Sequence, residues 1–402
     1  MGLKGQTIFI LGISKFDGLY ESTSFTTAKF LAKENDVFYV DYPYTTKDYL
    51  KQKNDKAFLK RKKAFTSSKN CLLDTEFPRL KILILPPLLS INFLPENALY
   101  RLLLSFNESI IVRRIKSVMK RFNVKDFLFI NSFNFHYPNV GRKLKPRLLA
   151  YHCVDPLIVA YDRKHGLKSE LNIVQHSDII ICTSKQLYEE KKIINSNTYF
   201  IPNAADLSHS SKALRDDCKV SEKLANIPKP VIGYFGNIER RIDYDLIEKV
   251  AELNGDKSFV FAGPIEEGYV TKEFKAIANV FFIGRIPYDE MPGVIKGFDV
   301  ATIPFKIDEV SRTIFPLKLF EYLGTGKPVV ATNFNPDLSD FTEDSVVFCN
   351  DATEFSVAIN DCLTNDSLLK MEQRLKVAGE NTWEKRLTQF SGLLQKEVDL
   401  LS

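Results

Sequence analysis

A chain of 402 residues is longer than one hydrophobic core usually serves, so two domains of roughly 200 residues each are expected. With 45% apolar and 26% charged residues, 18 Gly and 18 Pro, the composition excludes a disordered chain, a collagen and a coiled coil. The net charge of +5 conceals an asymmetry: residues 1–205 hold 32 Lys and Arg against 18 Asp and Glu, and the remainder 23 against 32.

The amino terminus lacks the charged, apolar and small-residue succession of a secretory signal, and no apolar run reaches the ~18 residues of a membrane span. The six Cys form no CxxC pair and no metal-ligand spacing. These features predict a reduced, cytosolic protein that does not cross a bilayer.

Short β-branched or aromatic runs alternate with helical patterns along the whole chain, the signature of βαβ units. In the first half, strands are expected at 7–11, 37–41, 81–85, 127–130, 147–151 and 179–182. Gly12 and Gly18 flank the loop after the first strand. Nine basic and two acidic residues crowd 47–69, which suits either an anionic surface as partner or a mobile, solvated loop. Nucleic acid is disfavoured, because few aromatics beyond Phe58 and Phe65 interleave the cations and no recognition motif appears.

From Asn97 to Phe122, Leu99, Leu102, Leu103, Phe106, Ile110, Ile115, Val118, Met119 and Phe122 recur at three and four, with Arg113, Arg114, Lys116, Lys120 and Arg121 added in the second half. Two readings stand for this amphipathic helix: a core-packing helix with a solvated basic face, or one lying in a membrane interface. Tyr151-His152-Cys153-Val154-Asp155-Pro156 closes a strand, where catalytic residues of such a sheet emerge. His152 and Asp155 are candidates there, Asp155 as general base if the reaction inverts configuration; a lone His at a strand end is as often hydrogen-bonded structure.

Asn, Ser, Lys and Pro over 195–230 read as a linker. The second series of strands is expected at 231–234, 259–262, 280–283, 300–303, 328–331 and 346–348, giving two doubly wound α/β domains, residues 1–205 and 206–382. A last helix over 383–402 is expected to return to the first domain. Asp243-Tyr244-Asp245 could suggest a metal site, but Asp is favoured where a helix opens. Pro316 suits the first turn of a short helix, and Gly324 and Gly326 its end. Lys318 and Glu321 then share a face near its amino terminus, where open N–H groups, an ammonium and a carboxylate could hold a nucleoside diphosphate. The same spacing also suits an exposed ion pair.

YFGNIERRIDYDLIEKVA, NVFFIGRIPYDEMPGVIKGFDVATIPF, PLKLFEYLGTGKPVVAT and NTWEKR resemble, in order, the donor-binding half of glycosyltransferase family 4 enzymes. YHCVDP, SDIIICTSKQLYEEKK and IPNAAD carry the resemblance into the first half. It implies the GT-B fold, with two Rossmann-like domains facing across a cleft. The second glutamate of the family's pair, which binds ribose, falls at Glu321, whereas the first falls at Thr313, with Arg312 beside it. The family's Arg after the strand glycine, here Gly236, is Asn237, and its Lys is Ile242; Arg240 and Arg241 stand nearby to restore the charge. Gly236, Asn237, Arg240, Arg241, Thr313, Pro316, Leu317, Lys318 and Glu321 are thus the implied donor site. Gly12 and Gly18 would let backbone approach the phosphates or the acceptor.

PLK ahead of the glutamate is similar to a subgroup of cell-surface polysaccharide transferases. The resemblance therefore implies metal-independent, retaining transfer of a sugar from a nucleotide donor, UDP-linked, to a lipid-linked or cell-surface saccharide. The nucleotide sugar is a substrate, and no cofactor or metal is expected. Lys318 and Arg241 would neutralise the leaving phosphate, and the basic first domain would dock on anionic lipid at the inner face of the cell membrane. A nucleotide-sugar 2-epimerase and a non-catalytic sugar-nucleotide sensor are the competing readings, the latter prompted by Thr313.

Overall fold

The computed structural model describes residues 2–18 and 22–401. The chain divides into two units, Met1–Pro202 with Leu387–Ser402, and Asn203–Arg386.

The first unit is built on β1 (Thr7–Gly12), β2 (Asp36–Val40), β3 (Leu72–Asp74), β4 (Leu80–Leu83), β5 (Leu128–Ser132), β6 (Leu148–Cys153), β7 (Ile179–Cys182) and β8 (Thr198–Phe200). Their order is β3-β4-β2-β1-β5-β6-β7-β8, parallel except for β3 against β4. Ile8 to Leu11 are fully buried, as a parallel strand covered on both faces requires. β1 and β5 lie side by side while the chain winds outward from each, so the topological switch point falls between their carboxyl ends.

The expected linker at 195–230 is corrected at its start: Thr198–Phe200 pairs in parallel with β7 and completes the sheet. The mobile-loop reading of 47–69 is also overturned. Helices run over Thr46–Lys51 and Lys56–Thr66, the first opened by a reciprocal Thr45–Asp48 capping box. Phe58 and Phe65 are buried, not displayed among the cations, and pack on Tyr44 with ring centroids 5.6 Å away in each case.

The long helix spans Ala98–Arg121, and Asn97 caps it by accepting the Tyr100 N–H. Tyr100, Leu104, Ile111, Ile115 and Val118 face the core, whereas Leu99, Leu102 and Phe106 are exposed. Arg114 is no part of the basic face. It is buried, and its guanidinium donates to the carbonyls of Ala64, Phe65 and Ser67, ending the Lys56–Thr66 helix. Arg114→Ala strands those acceptors and is expected to cost about 1–3 kcal/mol, read as a fall in melting temperature; an unchanged melt would mean that water satisfies them equally well.

The final helix, Trp383–Leu400, packs within the first unit along most of its length. Ser391 Oγ accepts the Leu3 N–H at 2.8 Å, and the Val398 carbonyl and Glu397 carboxylate accept from Arg147 and Asn197.

The second unit has β9 (Val231–Phe235), β10 (Ser258–Ala262), β11 (Val280–Gly284), β12 (Val300–Ile303), β13 (Val329–Thr332) and β14 (Val346–Cys349), all parallel, in the order β11-β10-β9-β12-β13-β14. Its switch point lies between β9 and β12. Among the described residues, no helix is long and apolar enough to cross a membrane.

Candidate functional site

The second unit gathers its chemistry at the carboxyl ends of β9 and β12. Gly236, the residue after β9, has φ +147°, and Gly263, with φ +152°, nests against it. A Cβ on Gly263 would lie 1.9 Å from the Gly236 carbonyl oxygen, and one on Gly236 would lie 2.4 Å from Lys318 Nζ. Bare backbone at Gly236 therefore makes the room in which the Lys318 amine sits, and bare backbone at Gly263 lets the Gly236 carbonyl approach.

Lys318 belongs to the Leu317–Gly324 helix, with Pro316 at its N-cap instead of the expected first turn. Pro offers no side-chain oxygen, so no side chain caps the first N–H groups of this helix. Lys318 Nζ donates to Tyr234 Oη at 2.6 Å and lies 4.2 and 5.1 Å from the centres of the Tyr234 and Phe305 rings. The Tyr234 hydroxyl in turn donates to the Asn237 carbonyl at 2.9 Å. Tyr322, one turn along the helix, accepts the Phe235 N–H at 2.7 Å and donates to the Phe235 carbonyl at 3.1 Å. The helix is thus clamped to the end of β9.

Arg241 packs over Phe305, 5.5 Å from its centre, and pairs with Glu239. One guanidinium nitrogen of Arg240, Nη2, is buried without a hydrogen-bond partner. Burial, with Arg241 nearby, pulls the Lys318 ammonium down to about 7. Burial likewise lifts the Glu321 carboxyl to about 7, against the opposing pull of Lys318. Lys318 is bonded to a tyrosine and, among the described residues, no cation pairs with Glu321, so the exposed ion-pair reading of this spacing is set aside. The result is an amine and a carboxyl on one face of the helix, with Arg241 close enough to act on the amine.

Thr313 is buried and turned inward, its hydroxyl donating to the Val310 carbonyl at 2.7 Å. Arg312 is exposed, 3.6 Å from Glu309. Asn237 is exposed and Leu317 half-buried beside Lys318. Asp243 caps the Tyr244–Leu253 helix by accepting the Leu246 N–H, the role expected of it.

In the first unit, Gly12 ends β1 with its Cα against Tyr39, whose hydroxyl a Cβ would meet at 2.2 Å. Asn134 Nδ2 donates to the Gly12 carbonyl at 2.9 Å, while its Oδ1 is buried and unpartnered and the preceding Phe133 holds φ +56°. This strained turn at the β1/β5 switch point was not read from the sequence, although the asparagines of NSFNF mark it. Gly18 is exposed, and its loop is tied down from the other side: fully buried Arg61 pairs with Asp17 at 2.5 Å and Asp41 at 2.6 Å.

His152 is 4% exposed, 3.4 Å from Ser132 Oγ and 5.0 Å from the Phe390 ring. Burial lowers it to about 4, so the imidazole is neutral. This is the geometry of an interior, hydrogen-bonded histidine. Asp155 is exposed, two residues past the end of β6. Tyr234, Phe305 and Tyr322 escaped the sequence reading, because aromatics next to strands look like core.

Residues 229–365 match the family model described as Glycosyl transferases group 1. TuaH of Bacillus subtilis (strain 168), named for teichuronic acid biosynthesis as a glycosyltransferase, is 30% identical over 184 residues, 44% of this chain and 46% of that protein. The chain thus spans about half the length of the curated relative it matches. Among solved structures, sucrose-phosphate synthase from Thermosynechococcus elongatus has a TM-score of 0.67 at 16% identity, covering 99% of this chain and 100% of that one. HepE from Anabaena, in complex with UDP, has a TM-score of 0.64 at 15% identity, covering 97% and 99%. At such identities the likeness is one of fold. The chain thus has the GT-B fold, and the stretch of it that holds the Lys318 pocket, residues 229–365, is similar to glycosyl transferases group 1.

Proposed function

We propose that the chain is a glycosyltransferase that moves a sugar from a UDP-linked donor to a lipid-linked or cell-surface saccharide, without a metal and with retention of configuration. The observation that carries this reading is the seat of Lys318, a desolvated amine pressed between Tyr234, Phe305 and the bare backbone of Gly236 at the β9/β12 switch point. HepE was solved with UDP and with UDP-glucose, and TuaH is named for teichuronic acid biosynthesis; the first supports the donor class and the second a saccharide acceptor.

Departure of the nucleotide builds negative charge on the β-phosphate. Lys318, Arg241 and the open N–H groups at the start of the Leu317–Gly324 helix answer it with fixed positive charge and dipoles. Glu321 accepts hydrogen bonds from the ribose diol. On the acceptor side, the Gly12 loop lies at the β1/β5 switch point, and exposed Asp155 stands two residues past the end of β6. The enzyme works at the inner face of the cell membrane, held there peripherally by its basic first unit.

A thermal-shift screen of nucleotides and nucleotide sugars tests the donor, since a ligand that binds only the folded state raises the melting temperature. UDP and one or more UDP-sugars are expected to shift the melt while free uridine does not. No shift with any nucleotide diphosphate would end the proposal.

A further inference from the structure

The Ala98–Arg121 helix carries more apolar residues than its core face uses. Its inner side is complete with Tyr100, Leu104, Ile111, Ile115 and Val118, yet Leu99, Leu102 and Phe106 stand 53%, 68% and 51% exposed. At 100° per residue, positions 99, 102, 106, 109, 113, 116 and 120 fall within an arc of about 100°, so they form one outward stripe along a helix about 36 Å long. The first half of that stripe is Leu99, Leu102 and Phe106; the second half is Arg113, Lys116 and Lys120, all exposed. Among the described residues, none of these three cations pairs with a carboxylate, and the helix has no exposed acidic residue.

The surroundings continue both halves. At the amino end, Phe93 is 72% exposed, and its carbonyl is held by Lys164 of the neighbouring Ala160–His176 helix, which exposes Leu167. At the carboxyl end, Arg121 lines a pocket with Lys60, Lys63, Lys69 and Lys81, in which Asp74 is the carboxylate and is already bound to Lys81 at 2.6 Å. Like charges gathered round one concavity repel each other unless an anion lies among them.

We infer that this stripe is the surface by which the first unit docks on an anionic phospholipid bilayer. Leu99, Leu102, Phe106 and Phe93 enter below the headgroups, while Arg113, Lys116, Lys120 and the pocket at Arg121 meet headgroup phosphates. Because the apolar and cationic halves follow one another along the axis, the helix lies tilted, its amino end deeper. The inference rests on the peripheral attachment proposed above and names the surface responsible. Unpaired cations in series with apolar side chains fit a bilayer interface, which presents anions above hydrocarbon, better than they fit a uniformly apolar or acidic protein face.

The test is co-sedimentation of the full chain with vesicles of phosphatidylcholine alone, or of equal parts phosphatidylcholine and phosphatidylglycerol. Wild type is expected to pellet with the anionic vesicles only. Leu102→Ser/Phe106→Ser and Arg113→Glu/Lys116→Glu alter exposed positions, and each is expected to weaken vesicle binding tenfold or more while leaving the UDP thermal shift unchanged. If wild type pellets with anionic vesicles and both variants pellet equally well, the stripe is not the docking surface, although peripheral attachment stands. If wild type pellets with neither composition, attachment falls too, and the UDP shift continues to report on the donor site. A variant that binds vesicles normally but changes the sedimentation of the lipid-free protein would assign the stripe to a second copy of the chain and overturn the inference.

Discussion

Lys318→Ala is expected to lower kcat by roughly 10²–10³ with a much smaller change in KM, the loss typical of removing one fixed donor from a developing anion. Three features point to the transition state and not to the ground state. The amine is fixed before substrate arrives, by Tyr234 Oη at 2.6 Å and by the Phe305 ring. It is half-buried against two aromatic rings, so a phosphate approaching it is less screened than in open water. And Gly236 leaves no Cβ to hold the phosphate away. Steady-state kinetics of UDP release over donor concentration make the measurement; a rise in KM with kcat intact would mean that Lys318 only holds the donor.

Glu321→Ala is expected to weaken UDP binding by about 1.5–3 kcal/mol, a loss of roughly ten- to a hundredfold, without unfolding the chain. The Glu321 carboxyl is raised to about 7 chiefly by burial. A carboxyl whose folded pKa lies above its unfolded one favours folding while protonated, and that contribution is lost as pH rises through 7. Near pH 8 the ionised, half-buried carboxylate is therefore a burden on the empty protein. Glu321→Gln should melt no lower than wild type at that pH while binding UDP more weakly. Isothermal titration and a thermal melt of the same samples check both halves; a lower melt with unchanged affinity would make Glu321 structural.

The strands were legible because parallel, doubly covered strands are written as unbroken apolar runs, and FIL in β1 or VVAT in β13 has no competing reading. β3 and β8 were not, since three residues paired on one side carry no periodic signal. The long helix was found by its period, but not which side faced inward. Leu102 and Ile111 look alike in sequence, and only the packing of Ile111 in the core separates them. The same limit hid Arg114, whose partners lie some fifty residues back along the chain.

In the site, Lys318 and Glu321 were readable from spacing and from a family pattern. The residues that aim them were not, because Tyr234, Phe305 and Tyr322 act through hydroxyls and ring faces that a core aromatic also possesses. Thr313 shows the reverse case. A position marked by the family's pattern proves to have its hydroxyl spent on Val310.

The central claim, that the Lys318 pocket grips the diphosphate, makes a prediction about protons. Lys318 is held at about 7 in the empty protein, so near pH 8.5 it is mostly neutral. A bound diphosphate restores its charge, so binding must draw in a proton. Titrating UDP into the wild-type chain at pH 8.5, in buffers of different ionisation enthalpy, should show uptake approaching one proton per UDP, abolished in Lys318→Ala, with affinity falling as pH rises above 7. Equal heats in every buffer for the wild-type chain, with no proton taken up on binding, would place the diphosphate elsewhere.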